Sequence, residues 1–411
     1  MATVVLLGAL DTKGDEYAFI RDRVIESGCD VVMINAGVLG DPGYAIEFSR
    51  EEVALAAGSD ISALVAAGDR GPAVTAMAEG AALTVQRLCD EGRIHGILGM
   101  GGSGSSSIVS HAMRRLPIGF PKLLVSTMAA GDVSAYVGTS DIAMMYSVVD
   151  IAGINAVSSS ILGNAAAAVS AMAVAYEARV PRIDTRPLVG ATMYGTTTQC
   201  VDVARDTLDE LGYELVVFHA TGTGGRSMEA LMASGYITAS LDVTTTELID
   251  EIAGGTLTAG PDRLDAAGAL GLPQVVSIGA TDQITFTPPE AVPSEYRDRN
   301  CYEHNPSITL VRSNAEECAE FGRVVAEKLN RARGPVSVFV PLRGGSSYAV
   351  SGGVFHDPAA DAALVESLRT HLDPSVELVE MDTDINDPVF AKAMAHRLDE
   401  HYRAWAADRV D

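Results

Sequence analysis

Ile94-His-Gly-Ile-Leu-Gly-Met-Gly-Gly-Ser-Gly-Ser-Ser-Ser107 is an apolar strand pattern that ends in glycines and hydroxyls. It leads straight into the helix-like Ile108-Val-Ser-His-Ala-Met-Arg-Arg-Leu116. At such a junction the free backbone N–H groups of the helix start converge with the positive end of its dipole, and glycines let an anion come close. Gly101, Gly102, Ser103, Gly104 and Ser105 are therefore candidate phosphate ligands. The plain alternative is that these glycines only make the turn into the helix.

The same alternation extends in both directions. Short β-branched runs at Val4–Leu7, Val31–Ile34, Ile94–Leu98 and Lys122–Val125 alternate with longer helix-period segments such as Asp15–Ser27 and Pro72–Glu91. This is the pattern of βαβ units on a parallel sheet with helices on both faces. Right-handed crossovers place the loop after every strand along one edge. Arg179-Val-Pro-Arg-Ile-Asp-Thr-Arg-Pro187 reads as a linker. Beyond it, strands are expected at Leu188–Tyr194, Leu215–His219, Gln274–Ile278, Val336–Val340 and Val376–Val379. Helices are expected near Thr198–Leu211, Asn314–Arg333, Asp357–His371 and Pro388–Trp405. The expected fold class is α/β, with two doubly wound, Rossmann-like domains on mainly parallel sheets. Residues 1–185 form a nucleotide-binding domain and residues 186–411 a second α/β domain.

Composition narrows the partners. The 411 residues carry 54 acidic against 29 basic side chains, a net charge of −25, which opposes nucleic acid and anionic membranes. Within that field a built anion site points to a small phosphorylated ligand. Five cysteines at 29, 89, 200, 301 and 318 make no C-x-x-C pair and match no zinc or haem spacing. The N-terminus lacks the basic region of a signal peptide and reads as a first strand, so the expected location is cytoplasmic. Ile151–Ala175 has no charged side chain, but Asn155, Ser158, Ser159, Ser160, Gly163, Asn164 and Ser170 interrupt it. It reads as a buried helix of small residues, suited to close packing on a sheet or a partner subunit.

Other strand-to-loop junctions carry ligand-type residues. Asp11-Thr12-Lys13 after the first strand offers a carboxylate for magnesium, a hydroxyl, and a cation for phosphate oxygens; alternatively Asp11 or Thr12 caps a helix starting near Asp15. Asn35–Gly43, His219–Gly225 and Pro341–Ser347 are similar junctions, and such loops border the crevice where open α/β sheets bind ligands. The Thr221–Gly225 loop divides evenly between anion binding and a simple turn. Glycine after Lys13 excludes a Walker A loop, and Ser105 stands where a nucleophile elbow needs its second glycine. Gly99, Gly101 and Gly104 fit G-x-G-x-x-G formally, but no acidic residue ends a strand about 20 residues later, which ranks a nicotinamide site below a mononucleotide site.

Leu10–Gly14, Gly99–Gly104, Val125-Ser-Thr-Met-Ala-Ala-Gly-Asp132 and Val137-Gly-Thr-Ser-Asp-Ile-Ala-Met-Met-Tyr-Ser-Val-Val-Asp150 together resemble the Tm-1-like family, also called uncharacterised family 0261. The resemblance covers essentially the whole chain, and the Val125–Asn155 block is its most specific marker. It implies a two-domain α/β protein whose N-terminal half binds ATP with magnesium and which pairs as a homodimer. The plant member's module binds a viral replication protein and blocks it, a role that depends on a surface these motifs do not specify. The plant member's extra C-terminal barrel domain is expected to be absent here, with its activity.

In the Val125–Asp150 block, Thr127 follows a strand, while Thr139, Ser140 and Asp141 offer hydroxyls and a carboxylate for a hydrated metal or a ribose. The alternative is a loop held by its own side-chain bonds. Asp11 and Asp141 are the candidate magnesium contacts. In the second half, His219 is a candidate general base and Arg226 and Arg343 could grip a carboxylate or phosphate; a structural role is the competing reading. His304 is placed in a polar loop. The expected function is an ATP- and magnesium-dependent enzyme of the phosphoryl-transfer type, acting on a small organic acid received across a cleft between the domains. Two alternatives stand beside it: a non-catalytic binding protein stabilised by nucleotide, and a nucleotide-independent hydrolase or lyase.

Overall fold

The computed structural model describes residues 1–179, 186–287 and 289–409. The chain divides into two compact units, Met1–Arg182 and Ile183–Asp411. Residues 180–185, at the core of the stretch read as a linker, lie outside the described residues.

The first unit begins β1 (Thr3–Gly8), α1 (Leu10–Glu26), β2 (Asp30–Asn35), α2 (Arg50–Ala56), α3 (Ile61–Ala67) and α4 (Arg70–Asp90). It continues β3 (Gly96–Gly101), α5 (Ser103–Arg114), β4 (Lys122–Ser126), α6 (Ser134–Val137), β5 (Ala143–Tyr146) and α7 (Ala156–Glu177). Its sheet is parallel, in the order β2-β1-β3-β4-β5. A strand buried on both faces needs a continuous apolar run, which Thr3-Val-Val-Leu-Leu supplies. Val5 and Leu7 join the core under α4 and α5, while Val4 and Leu6 join the one under α1 and α7. Burying each such side chain contributes about 1.5–3 kcal/mol. Strand order reverses between β1 and β3, so the C-terminal ends of these two strands flank the crevice where doubly wound sheets receive ligands.

The second unit begins β6 (Leu188–Met193), α8 (Thr198–Glu210), β7 (Glu214–His219), α9 (Thr223–Ala233), β8 (Ala239–Thr244), α10 (Thr246–Ala253), α11 (Ala266–Leu270) and β9 (Gln274–Gly279). It continues β10 (Gln283–Phe286), β11 (Cys301–Asn305), β12 (Ile308–Arg312), α12 (Ala315–Leu329), β13 (Val336–Pro341), α13 (Pro358–His371), β14 (Glu377–Met381) and α14 (Pro388–Ala407). Six parallel strands run β14-β13-β9-β8-β6-β7, the same winding with its reversal between β6 and β8. The α/β class with two Rossmann-like, mainly parallel sheets is therefore as the sequence indicates.

Two features differ. An antiparallel sheet β10-β12-β11 is inserted after β9, so His304 sits in a strand and not in a loop. Strand β8, Ala-Ser-Leu-Asp-Val-Thr, carries no unbroken apolar run because Asp242 is buried inside it, held by Arg263. Helix α7 is the one helix among the described residues long and apolar enough to cross a membrane. Its Leu162, Ala165, Ala166, Val169 and Ala173 are buried in the first unit's core.

Candidate functional site

The first unit's site forms at the β1/β3 reversal. Gly101, at φ +148°, turns β3 toward α5, and a Cβ there would lie 2.4 Å from the Ser105 Cβ. Only glycine fits such backbone. Helix α5 starts at Ser103 with Gly102 at its N-cap and no side-chain cap. Among the described residues the amides of Ser103, Gly104 and Ser105 have no hydrogen-bond acceptor, whereas Ser106 already donates to the Gly102 carbonyl (2.9 Å). Arg70, at the start of α4, brings Nη2 to 3.1 Å from where a Gly104 Cβ would be. No carboxylate pairs with Arg70 among the described residues, so a guanidinium and an uncapped helix dipole face one place.

Asp11 closes this site from β1. Helix α1 starts at Leu10, earlier than the sequence suggests, and breaks from helical geometry at Lys13 (φ −128°, ψ 26°). Asp11 and Thr12 thus lie in the first turn and do not cap a helix at Asp15. The Asp11 carboxylate accepts from the Leu39 amide through Oδ2 (2.7 Å), and its buried Oδ1 has no partner among the described residues. It rests on Gly37, where a Cβ would come within 2.3 Å of it. Thr12 Oγ1 makes only a long bond to the Ala9 carbonyl (3.4 Å). Asp11, Thr12, Gly37, Arg70, Gly104 and Ser105 line one cavity of about 430 Å³. Asp69, which accepts from the Gly71 amide (3.1 Å), lines it as well, and the remaining walls are largely apolar, with Val38, Leu64, Val65, Val74, Met77 and Ile108.

Thr127 and Lys13 stand beside it. The Thr127 amide donates to the Gly101 carbonyl (3.2 Å), and Thr127 Oγ1 is 3.7 Å from a Gly102 Cβ position. The Lys13 ammonium donates to the Ile151 carbonyl and does not line the cavity.

Thr139 and Asp141 are elsewhere. Asp141 pairs with the fully buried Lys122 at the start of β4 (2.5 Å) and accepts from the Gly119 amide (2.7 Å). Both residues precede β5, whose first residue pairs with Leu123, so they lie at the N-terminal edge of the sheet. Asp11 lies at the other edge, a strand length or roughly 13 Å away. The expectation that Asp141 joins Asp11 on magnesium, with Thr139 beside it, is therefore corrected. Asp141 instead neutralises Lys122, whose ammonium is held below the usual lysine range by burial against that pairing.

The second unit resolves the other glycine loop. The amides of Gly222 and Gly225 both donate to Glu247 Oε1 (2.7 and 3.0 Å), so this helix start is capped from within. Glu247 Oε2 in turn meets Arg263 Nε (2.7 Å), and Arg263 grips both oxygens of Asp242 (2.6 and 2.7 Å). With Glu229 also at 3.2 Å, one buried protein cation and three carboxylates hold one another beside β8. His219 and Arg343 are not brought together: they end β7 and follow β13, four strand spacings or roughly 19 Å apart. His219 is exposed and stacks on Tyr194 (centroids 5.4 Å apart). Arg343 is bidentate to Asp382 (2.7 and 2.5 Å) and Arg226 Nε donates to the Gly222 carbonyl (3.1 Å), contacts of the structural kind set beside their reading as grips for a carboxylate or phosphate.

Residues 2–178 match the model of the Uncharacterised protein family (UPF0261) N-terminal domain, and residues 186–402 that of its C-terminal domain. The chain belongs to the UPF0261 family. A UPF0261 protein of Clostridium tetani is 48% identical over 96% of this chain and 98% of its own length. One from Rhizobium meliloti is 43% identical over 96% and 97%. The tomato (Solanum lycopersicum) ToMV resistance protein Tm-1(GCR237) is 36% identical over 95% of this chain, which spans 54% of the tomato protein. The Tm-1-like resemblance is thus established, and the glycine loop and Asp11 are features of a UPF0261 N-terminal domain.

Two site residues escaped the sequence reading. Arg70 follows a helix-capping Asp69 and carried no other signal. Asp282, after β9, ends one more strand-to-loop junction, Ile278-Gly-Ala-Thr-Asp282, of the same kind as those after β1 and β3.

Proposed function

We propose that the unit Met1–Arg182 is an ATP-binding module that takes the nucleotide with magnesium, in a cytoplasmic protein. The observation that carries this is the uncapped start of α5, with Arg70 beside it, opening on a largely apolar cavity at the β1/β3 reversal. Phosphates would accept from the Ser103, Gly104 and Ser105 amides, and the base would rest among Val65, Val74 and Met77. The donor set fits magnesium sparingly. Asp11 Oδ1 is one carboxylate oxygen without a partner among the described residues, and magnesium commonly takes one or two carboxylates plus phosphate oxygens and waters. Bound magnesium would neutralise phosphate charge. The chain's own part is to hold the phosphates on amides, offset their charge with Arg70 and keep Asp11 in place through Leu39 and Gly37.

Binding without turnover is the reading this geometry favours over phosphoryl transfer, because the cavity's two carboxylates among the described residues are already engaged by backbone amides, Asp11 by Leu39 (2.7 Å) and Asp69 by Gly71 (3.1 Å). A homodimer through the exposed Val157, Met172 and Val174 of α7 belongs to the same proposal. Isothermal titration with ATP, with and without magnesium, tests the binding: magnesium-strengthened binding is expected, and none at millimolar ATP overturns it. Phosphate release with a panel of small organic acids tests the catalytic alternative. A raised melting temperature without phosphate release supports a binding module.

A further inference from the structure

We infer that the cavity at the C-terminal ends of β9 and β13 is a second ligand site, which receives the ammonium group of a small alkylamine on Asp282. It lies wholly in the second unit and does not depend on the ATP reading. The cavity measures about 820 Å³. Ile278, Leu364 and Val365 supply apolar wall for an alkyl chain.

Asp282 is 4% exposed and lines this cavity. Its Oδ2 accepts from the Ser346 hydroxyl (2.7 Å), and Oδ1 has no hydrogen-bond partner among the described residues. A buried carboxylate oxygen without a donor costs free energy that an N–H from a ligand would recover, and more so a charged one. The turn that delivers it is itself strained, with Ala280 at φ +57° and its amide donating to the Gly345 carbonyl (2.9 Å). Such strain gathers at ligand sites.

The charges around the cavity select the sign of the ligand. Asp282, Asp361, Glu366 and Asp384 all line it. Its two arginines are occupied, Arg343 by Asp382 and Arg369 by Glu380, each through two hydrogen bonds, and Arg369 also reaches Glu366 (3.4 Å); His356 lines the cavity as well, with Nδ1 at 3.3 Å from the Ala349 carbonyl. Arg312, whose field reaches Asp282, is itself paired with Asp361 (2.5 Å). Acidic groups are left in excess, which attracts a cation and repels an organic acid. Burial raises the Asp282 carboxyl to about 6, against the pull of Arg312 and Ser346, so it is ionised at pH 7.5.

The test uses the full chain at pH 7.5 and constant ionic strength, with n-butylammonium, butan-1-ol and butyrate as probes, read by isothermal titration and thermal melting. The amine is expected to bind at least tenfold more tightly than the alcohol, and butyrate not at all. Asp282→Asn should lower amine affinity at least tenfold. Should that variant fail to fold, Ala362→Trp at the exposed rim should block the amine with the melting temperature kept. An amine response no greater than that of sodium chloride, an equal response to butan-1-ol, or undiminished binding in the folded variants would overturn the assignment.

Discussion

Replacing Gly102 by aspartate should strengthen the fold and destroy nucleotide binding at once. Gly102 sits at φ −86°, ψ −163°, the extended backbone of an N-cap, and a Cβ there meets nothing closer than Thr127 Oγ1 at 3.7 Å. The introduced carboxylate can therefore accept from the amides that open α5. Such a cap gains a few tenths of a kcal/mol over glycine, and its charge on the helix dipole adds about 0.3–1 kcal/mol. The same carboxylate occupies the proposed phosphate donors and repels each phosphate charge about 4 Å away by about 4 kcal/mol at an effective dielectric of 20. Even half of that raises Kd by more than tenfold, and with the lost amides a factor of at least about 100 is expected. Isothermal titration with magnesium-ATP reads the affinity, and denaturant melts without nucleotide read the stability. Gly102→Asp that is stable yet binds ATP like the parent would refute the claim that these amides receive phosphate.

Arg263→Met strands the buried Asp242 and Glu247 and should cost about 3–5 kcal/mol in urea unfolding, with ATP affinity kept in whatever fraction folds. Asp141→Asn removes the partner of the buried Lys122; because Asp141 is 40% exposed, a loss of about 1–2 kcal/mol is expected, with magnesium-ATP affinity unchanged. A weakened magnesium dependence would restore Asp141 as a metal contact. Burial raises the Asp250 carboxyl from its ordinary 3.8 to about 7, so between these values the folded chain holds a proton that the unfolded chain has released. Its contribution to stability is full below pH 4 and falls as pH rises to about 7; about two pH units of that difference act between pH 5 and 8, about 3 kcal/mol. Urea unfolding at the two pH values should show this slope flattened in Asp250→Asn, and an unaltered slope would contradict it.

Where the chain's periodicity was strong, it was enough. The run at Val4–Leu7 and the strand Gly96–Gly101, which starts two residues later than the run Ile94–Leu98 suggests and takes in its first glycines, form because both faces of each are covered by helices, and the glycine-to-helix junction at residues 101–105 is local chemistry that can be read locally. What could not be read is what distant residues do to a junction. Gly99–Ser105 and His219–Gly225 look alike as sequence, yet only the second is filled by a carboxylate, Glu247, from 22 positions beyond Gly225. A hydroxyl-rich stretch such as Thr139–Asp141 gives no sign of which sheet edge it occupies; the parallel register of β4 with β5 decides that. β8 was hidden because Asp242 breaks its apolar pattern, and the arginine that makes this tolerable lies 21 residues on.

Whether the start of α5 receives a nucleotide is decided by a crystal structure of the chain with magnesium and a non-hydrolysable ATP analogue. Phosphate oxygens are expected within hydrogen-bond distance of the Ser103, Gly104 and Ser105 amides, with Arg70 turned toward them and the metal against Asp11. Nucleotide bound elsewhere on the chain, with the start of α5 bare, would contradict it.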